Sequence, residues 1–216
     1  LTLENVDFIQ NGIYEADELS FEDIISIRGG GMFLKNTSID YNGGNIERNY
    51  SLWGGGGIGF ENCDGILENI VVKENVSNHF TNTEDSEGQG GGFYISNLNK
   101  LELNNVNFIS NYSGGVGGAI HSVWTHLIIE NSSFIDNFSV VGGGGALFQV
   151  SIANIKNVEF INNSTNRHKI GNVFNRLVLF NSKQYYANID NFGTSKENGC
   201  LYQIFSFSTD TIIEFP

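Results

Sequence analysis

Asn105 to Ile120 read NVNFISNYSGGVGGAI, and this stretch decides the fold. It opens on Asn-Val-x-Phe-x-x-Asn and closes on Gly-Gly-Ala-Ile. The pattern returns at Asn131 to Leu147 (NSSFIDNFSVVGGGGAL) and, more loosely, at Asn157 to Val173 (NVEFINNSTNRHKIGNV). Asn105, Asn131 and Asn157 stand 26 residues apart. A fixed period of this size is the mark of a repeat architecture.

Working outward, a first Asn recurs at Asn5, Asn36, Asn69, Asn105, Asn131 and Asn157. Six residues later a second recurs at Asn11, Asn42, Asn75, Asn111, Asn137 and Asn163. Three residues after the first comes Phe8, Ile39, Val72, Phe108, Phe134 or Phe160, and two before it Leu3, Leu34, Leu67, Leu103, Ile129 or Ile155. Segments such as Leu101-Glu-Leu103 alternate apolar and polar, the period of a half-buried strand, and no segment holds a helical period. Short strands separated by Asn and Gly corners predict an all-β, right-handed, single-stranded parallel β-helix of about seven coils, roughly 30 Å long at ~4.8 Å per coil.

The Asn columns then have a physical cause. Stacked coils place like residues above one another, and an Asn at a corner adopts the left-handed region while its amide bonds along the stack. Both Asn columns are expected to form such ladders, and the Phe column a buried ridge. The Gly corner is read at Gly57, Gly92, Gly118, Gly145 and Gly171, with Gly29 to Gly31 out of register as a separate loop. Regular coils extend to about residue 174. Residues 175–216 read as degenerate coil, with Gln184 and Tyr185-Tyr186 breaking the pattern and Thr211 to Pro216 strand-like. The whole chain, 1–216, is expected to be one β-helix domain cut from a longer protein. Longer loops at Gly12 to Glu22, Gly43 to Gly56 and Val76 to Gly91 would lie on one face, the face repeat proteins often use for binding.

Composition narrows the function. Seventeen Phe and eight Tyr argue against disorder. A net charge of −13 argues against nucleic acid and anionic membrane as partners. No apolar run approaches the ~20 residues of a membrane helix. Cys63 and Cys200 lie several repeats apart, so no bridge between them is expected; each reads as a small buried side chain or a bond to a partner chain.

A parallel β-helix also supports carbohydrate-active enzymes, which need clustered carboxylates. The column Glu4, Lys35, Glu68, Asn104, Glu130, Lys156 alternates charge instead, as cross-strand pairing would. Glu84, Asp85 and Glu87 form the densest acidic cluster, a candidate for Ca²⁺ that lacks any defined calcium-loop spacing; no cofactor is expected. His79, His121, His126 and His168 show no ligand spacing and read as surface residues, with His121 and His126 on one face. Tyr50, Trp53 and Trp124 are candidates for an aromatic patch contacting sugar or protein.

Phe108-Ile-Ser-Asn111 with Gly117-Gly-Ala-Ile120, and Phe134-Ile-Asp-Asn137 with Gly144-Gly-Ala-Leu147, resemble the repeats of the chlamydial polymorphic outer membrane proteins. Related repeats occur on large surface proteins of single-celled eukaryotes. The resemblance implies a right-handed β-helix on an exported surface protein, adhesive or structural. The expectation is therefore a non-catalytic structural, adhesive or fibre-forming segment, extracellular or at the cell surface. It would meet protein partners by end-to-end stacking or through the long-loop face, and glycans. The alternative is a polysaccharide lyase or glycoside hydrolase.

Eight N-x-[ST] sequons are present, at Asn36, Asn49, Asn75, Asn111, Asn131, Asn137, Asn162 and Asn163. A ladder Asn cannot also carry sugar, so any glycan is expected on Asn49 first and Asn162 second, the two sequons outside both columns.

Overall fold

The computed structural model describes residues 1–12, 27–78, 88–97 and 100–165. The chain divides into two units, Leu1–Arg176 and Leu177–Pro216, and every described residue lies in the first. Those residues are all β, with no helix, and their strands form three parallel sheets stacked in chain order. This is the arrangement of a parallel β-helix.

The first sheet follows β1 (Thr2–Glu4), β4 (Ser38–Glu47), β7 (Asp64–Lys73), β10 (Leu101–Ile109), β13 (His126–Glu130) and β17 (Ile152–Lys156). Its far end is completed by β2 (Phe8–Ile9), β14 (Ser133–Ile135) and β18 (Glu159–Ile161). The second sheet stacks two-residue strands: β5 (Tyr50–Ser51), β8 (Val76–Ser77), β11 (Tyr112–Ser113), β15 (Phe138–Ser139) and β19 (Ser164–Thr165). The third stacks β3 (Met32–Lys35), β6 (Ile58–Glu61), β9 (Phe93–Ser96), β12 (Ile120–Val123) and β16 (Ala146–Gln149).

Four turns per layer repeat a left-handed backbone, and this is where the Asn and Gly go. One bend holds Asn5, Gly43, Asn69, Asn105, Asn131 and Asn157; the next holds Gln10, Arg48, Glu74, Ser110, Asp136 and Asn162. A third, at Gly29, Gly55, Gly90, Gly117 and Gly143, is all glycine. A Cβ at Gly117 would stand 2.3 Å from the Ile120 carbonyl oxygen, so the position is closed to any side chain. The fourth holds Asn36, Asn62, Asn97, Trp124 and Val150.

The register corrects the sequence reading in the second layer. Ile46, not Ile39, pairs with Val72 and Phe8, and Tyr41, not Leu34, pairs with Leu3 and Leu67. The first Asn column passes through Gly43 instead of Asn36, and the second through Asn49 instead of Asn42. Asn36 belongs to the fourth turn and Asn42 to an exposed strand position. Asn42 also replaces Lys35 in the outward column Glu4, Asn42, Glu68, Asn104, Glu130, Lys156.

Gly29 to Gly31 are in register as the corner of the first layer, their N–H groups bonding to Gly54, Gly55 and Gly57. Ala119, not Gly118, aligns with Gly92 and Gly145. Gly43 to Gly56 is not a long loop, because β4 and β5 occupy much of it. Among the described residues the extra length sits in two layers, where ladder neighbours are 38 and 36 residues apart instead of 26. Gly171, Cys200, Glu84, Asp85, Glu87, His79, His168 and the reading of 175–216 lie outside the described residues.

The core is a set of columns. Phe8, Ile46, Val72, Phe108, Phe134 and Phe160 run up the interior. The last three rings stack face to face at 4.8 and 4.6 Å. Phe93 meets this column edge-on at Phe108, and Phe60 meets Phe93 edge-on. Cys63 is a free, buried thiol within the same core.

Candidate functional site

The interior ladder is the most ordered polar feature. Asn11, Asn49, Asn75, Asn111, Asn137 and Asn163 stack so that each Nδ2 reaches the next Oδ1 at 2.9–3.0 Å. The same Oδ1 accepts the backbone N–H of the Asn before it. The second amide hydrogen goes to a carbonyl of the apolar column: Phe8, Ile46, Val72, Phe108 or Phe134. Every polar atom of a middle member is thereby satisfied without water, as a buried amide requires.

Asn49, expected off both columns, is thus a ladder member only 1% exposed. Two residues on, and on the same side of the strand, stand Ser51, Ser77, Ser113 and Ser139, all buried, with Thr165 after them. Their hydroxyls donate to corner carbonyls such as those of Gly54, Trp53, Gly88 and Gly142. The sequons at these positions arise from two adjacent inward columns, not from chance.

The other Asn column is exposed. Asn105 donates to Asn69 and Asn157 to Asn131, both at 2.8 Å, while Asn69 donates to Asn42 and Asn131 to Asn104. It is a partial surface ladder. Asn162 is exposed, at a left-handed turn beside the buried Asn163.

A cluster with chemical character lies on the outer face of the third sheet. Its outward column is Phe33, Gly59, Tyr94, His121, Leu147. Gly59 leaves a gap that a Cβ would close, with Arg28 Cβ and Phe33 each 3.0 Å from that point. Arg28 lies across this gap. Its guanidinium sits 5.1 Å from the Tyr94 ring centre and bonds Glu61 at 2.9 Å. Lys35 reaches the other Glu61 oxygen at 2.7 Å. Tyr94 in turn packs against His121 at 5.7 Å.

His121 was expected at the surface, on one face with His126. It is 3% exposed, and His126 is on the first sheet beside Asn154. Neither His121 ring nitrogen makes a well-formed hydrogen bond. Burial lowers its pKa to about 4, against a weaker opposing pull from the Gln149 side chain. The imidazole is therefore neutral at pH 7. Glu61 is neutralised by two cations, so the cluster holds no free carboxylate pair, and its local charge is positive on an acidic chain.

Trp124 stands apart at the fourth turn, 59% exposed, and Trp53 is half-buried. The Tyr50 hydroxyl is spent on the Asn78 carbonyl. The three expected patch aromatics thus sit in different settings. An open polar hollow of about 230 Å³ is lined by Asn36, Thr37, Ser38, Asn62 and Asp64. Among the described residues no group of three His, Cys, Asp or Glu is placed to hold a metal, and no helix is long and apolar enough to cross a membrane.

The sequence reading missed Arg28, Glu61 and Tyr94 because they are distant in the chain. The corner alignment of Arg28-Gly29 with Gly54-Gly55 and Gln89-Gly90 was the signal that joins them. Comparison with family models, curated proteins and solved structures finds no match.

Proposed function

We infer that the chain is a non-catalytic structural or adhesive segment of an exported, cell-surface β-helix protein. The observation that carries this reading is where its side-chain order is spent. The continuous Asn and Phe columns rigidify the interior, while the outer cluster neutralises its one carboxylate, Glu61, with Arg28 and Lys35. General acid–base chemistry needs a titrating group free to move a proton near pH 7; buried His121, its pKa lowered to about 4 by burial, is not one. The right-handed sense is supported by the strong preference for right-handed crossovers between parallel strands. About seven coils and end-to-end stacking on a protein partner belong to the same proposal.

Arg28 and Lys35, the cations of this cluster, favour an acidic sugar as the contacted glycan, since they suit a carboxylate. The cluster is also the place an enzymatic reading would use. The test is incubation with neutral and acidic polysaccharides, followed by size-exclusion chromatography of the polymer. Unchanged polymer length is expected, with any retention of acidic polysaccharide weakened by Arg28→Ala. Chain shortening that disappears in His121→Ala would replace this reading with the enzymatic one.

A further inference from the structure

The eight sequons divide by geometry into five that point inward and three that point outward. Asn49, Asn75, Asn111, Asn137 and Asn163 are buried. At Asn49, Asn75, Asn111 and Asn137 both Nδ2 hydrogens are used, one on the next amide and one on a core carbonyl. Asn163 donates to Phe134 O at 2.7 Å. Asn36, Asn131 and Asn162 are exposed and occupy left-handed turns, where the side chain projects from a bend. Asn36 accepts from Asn62 through Oδ1. Asn131 donates once, to Asn104, so it keeps that bond with one hydrogen replaced.

We propose that in the folded molecule Asn-linked oligosaccharide is confined to Asn36, Asn131 and Asn162, and that sugar on any of the five inward sequons is incompatible with the fold. The transfer joins Nδ2 to the anomeric carbon of a lipid-diphosphate-linked oligosaccharide. The bond from that carbon to the diphosphate breaks, the lipid diphosphate leaves, and Nδ2 gives up one proton. An inward Asn so modified loses one of its two donors and must carry a sugar through a closed core. An outward Asn loses nothing the layer needs. Asn36 and Asn131 are the sites the repeat pattern concealed, because that pattern assigned both to a ladder. The assignment does not depend on whether the protein is adhesive or catalytic.

The test is to direct the chain through a eukaryotic secretory pathway with a signal peptide. The protease-resistant folded fraction is then separated from the aggregated one, and glycopeptides are mapped in both. Sugar is expected on Asn36, Asn131 and Asn162 in the folded fraction, and any sugar on Asn75, Asn111 or Asn137 in the aggregate alone. The triple variant Asn36→Gln, Asn131→Gln, Asn162→Gln is expected to yield a folded fraction with no glycan mass. Should no folded fraction form, blocking lipid-linked oligosaccharide synthesis is expected to restore it, and continued misfolding without sugar overturns the proposal. Folded chain carrying sugar on an inward Asn, or bare at all three outward sites, overturns it equally.

Discussion

At the scale of the residue, Asn111 shows how much one amide does. It accepts from the Asn75 N–H and the Asn75 amide, and donates to Val72 O and Asn137 Oδ1, all within 3.1 Å. Asn111→Ala would strand several buried groups at ~1–3 kcal/mol each, relieved in part where the layers relax. We expect a loss of about 3–5 kcal/mol in urea unfolding, against about 1 kcal/mol or less for the exposed Asn105→Ala. Equal losses would remove the distinction between the two columns. His121 makes the second case. Its folded pKa, about 4, lies below the ordinary 6.5. Between those values the unfolded chain binds the proton more tightly, so stability falls as pH drops through that window. The full effect is about 3 kcal/mol at ~1.4 kcal/mol per pKa unit. Urea midpoints from pH 7 to pH 4 should fall more steeply in the wild type than in His121→Phe; parallel slopes would mean the ring is not buried neutral.

At the scale of the element, the fourth turn places a β-branched residue in the left-handed region. Asn36, Asn62 and Asn97 occupy the left-handed region at the usual small cost for Asn, whereas Val150 does so at φ 49 with a β-branched side chain that is 52% exposed. Val150→Asn is expected to stabilise by about 1 kcal/mol, read as a raised thermal midpoint; a fall would mean that Val150 makes a contact worth more than its strain. This turn also explains what could and could not be read from sequence. The parallel, helix-free stacking was legible, because apolar alternation and the 26-residue period admit little else. The register of the second layer was not. Leu34, Asn36, Ile39 and Asn42 mimic the four-position pattern, because a coil with several left-handed bends puts Asn beside apolar strand ends more than once. The true positions, Tyr41, Gly43, Ile46 and Asn49, hide behind a glycine. The 26-residue step from Asn49 to Asn75 was the better guide. The outer cluster was illegible for a different reason: the extra length in the layer between Asn75 and Asn111 widens the chain spacing from Glu61 to Tyr94 while leaving their stacking intact.

At the scale of the whole molecule, each layer bonds to the one before and the one after, so stability is nearly a sum of layer and neighbour terms. The central claim is that residues 26 apart in the regular layers are structurally equivalent. Excising Tyr112 to Asn137 joins Asn111 to Phe138 and removes one full period, leaving the Asn ladder, the Phe column and the glycine corner continuous. Excising one residue fewer, Tyr112 to Asp136, shifts every following side chain to the opposite face, as any one-residue slip in a strand does. Circular dichroism with urea titration of the two variants is the direct measurement. The account predicts a cooperative, β-rich fold for the full-period excision and no cooperative transition for the shorter one. Comparable folding of both, or folding of the shorter excision alone, would contradict it.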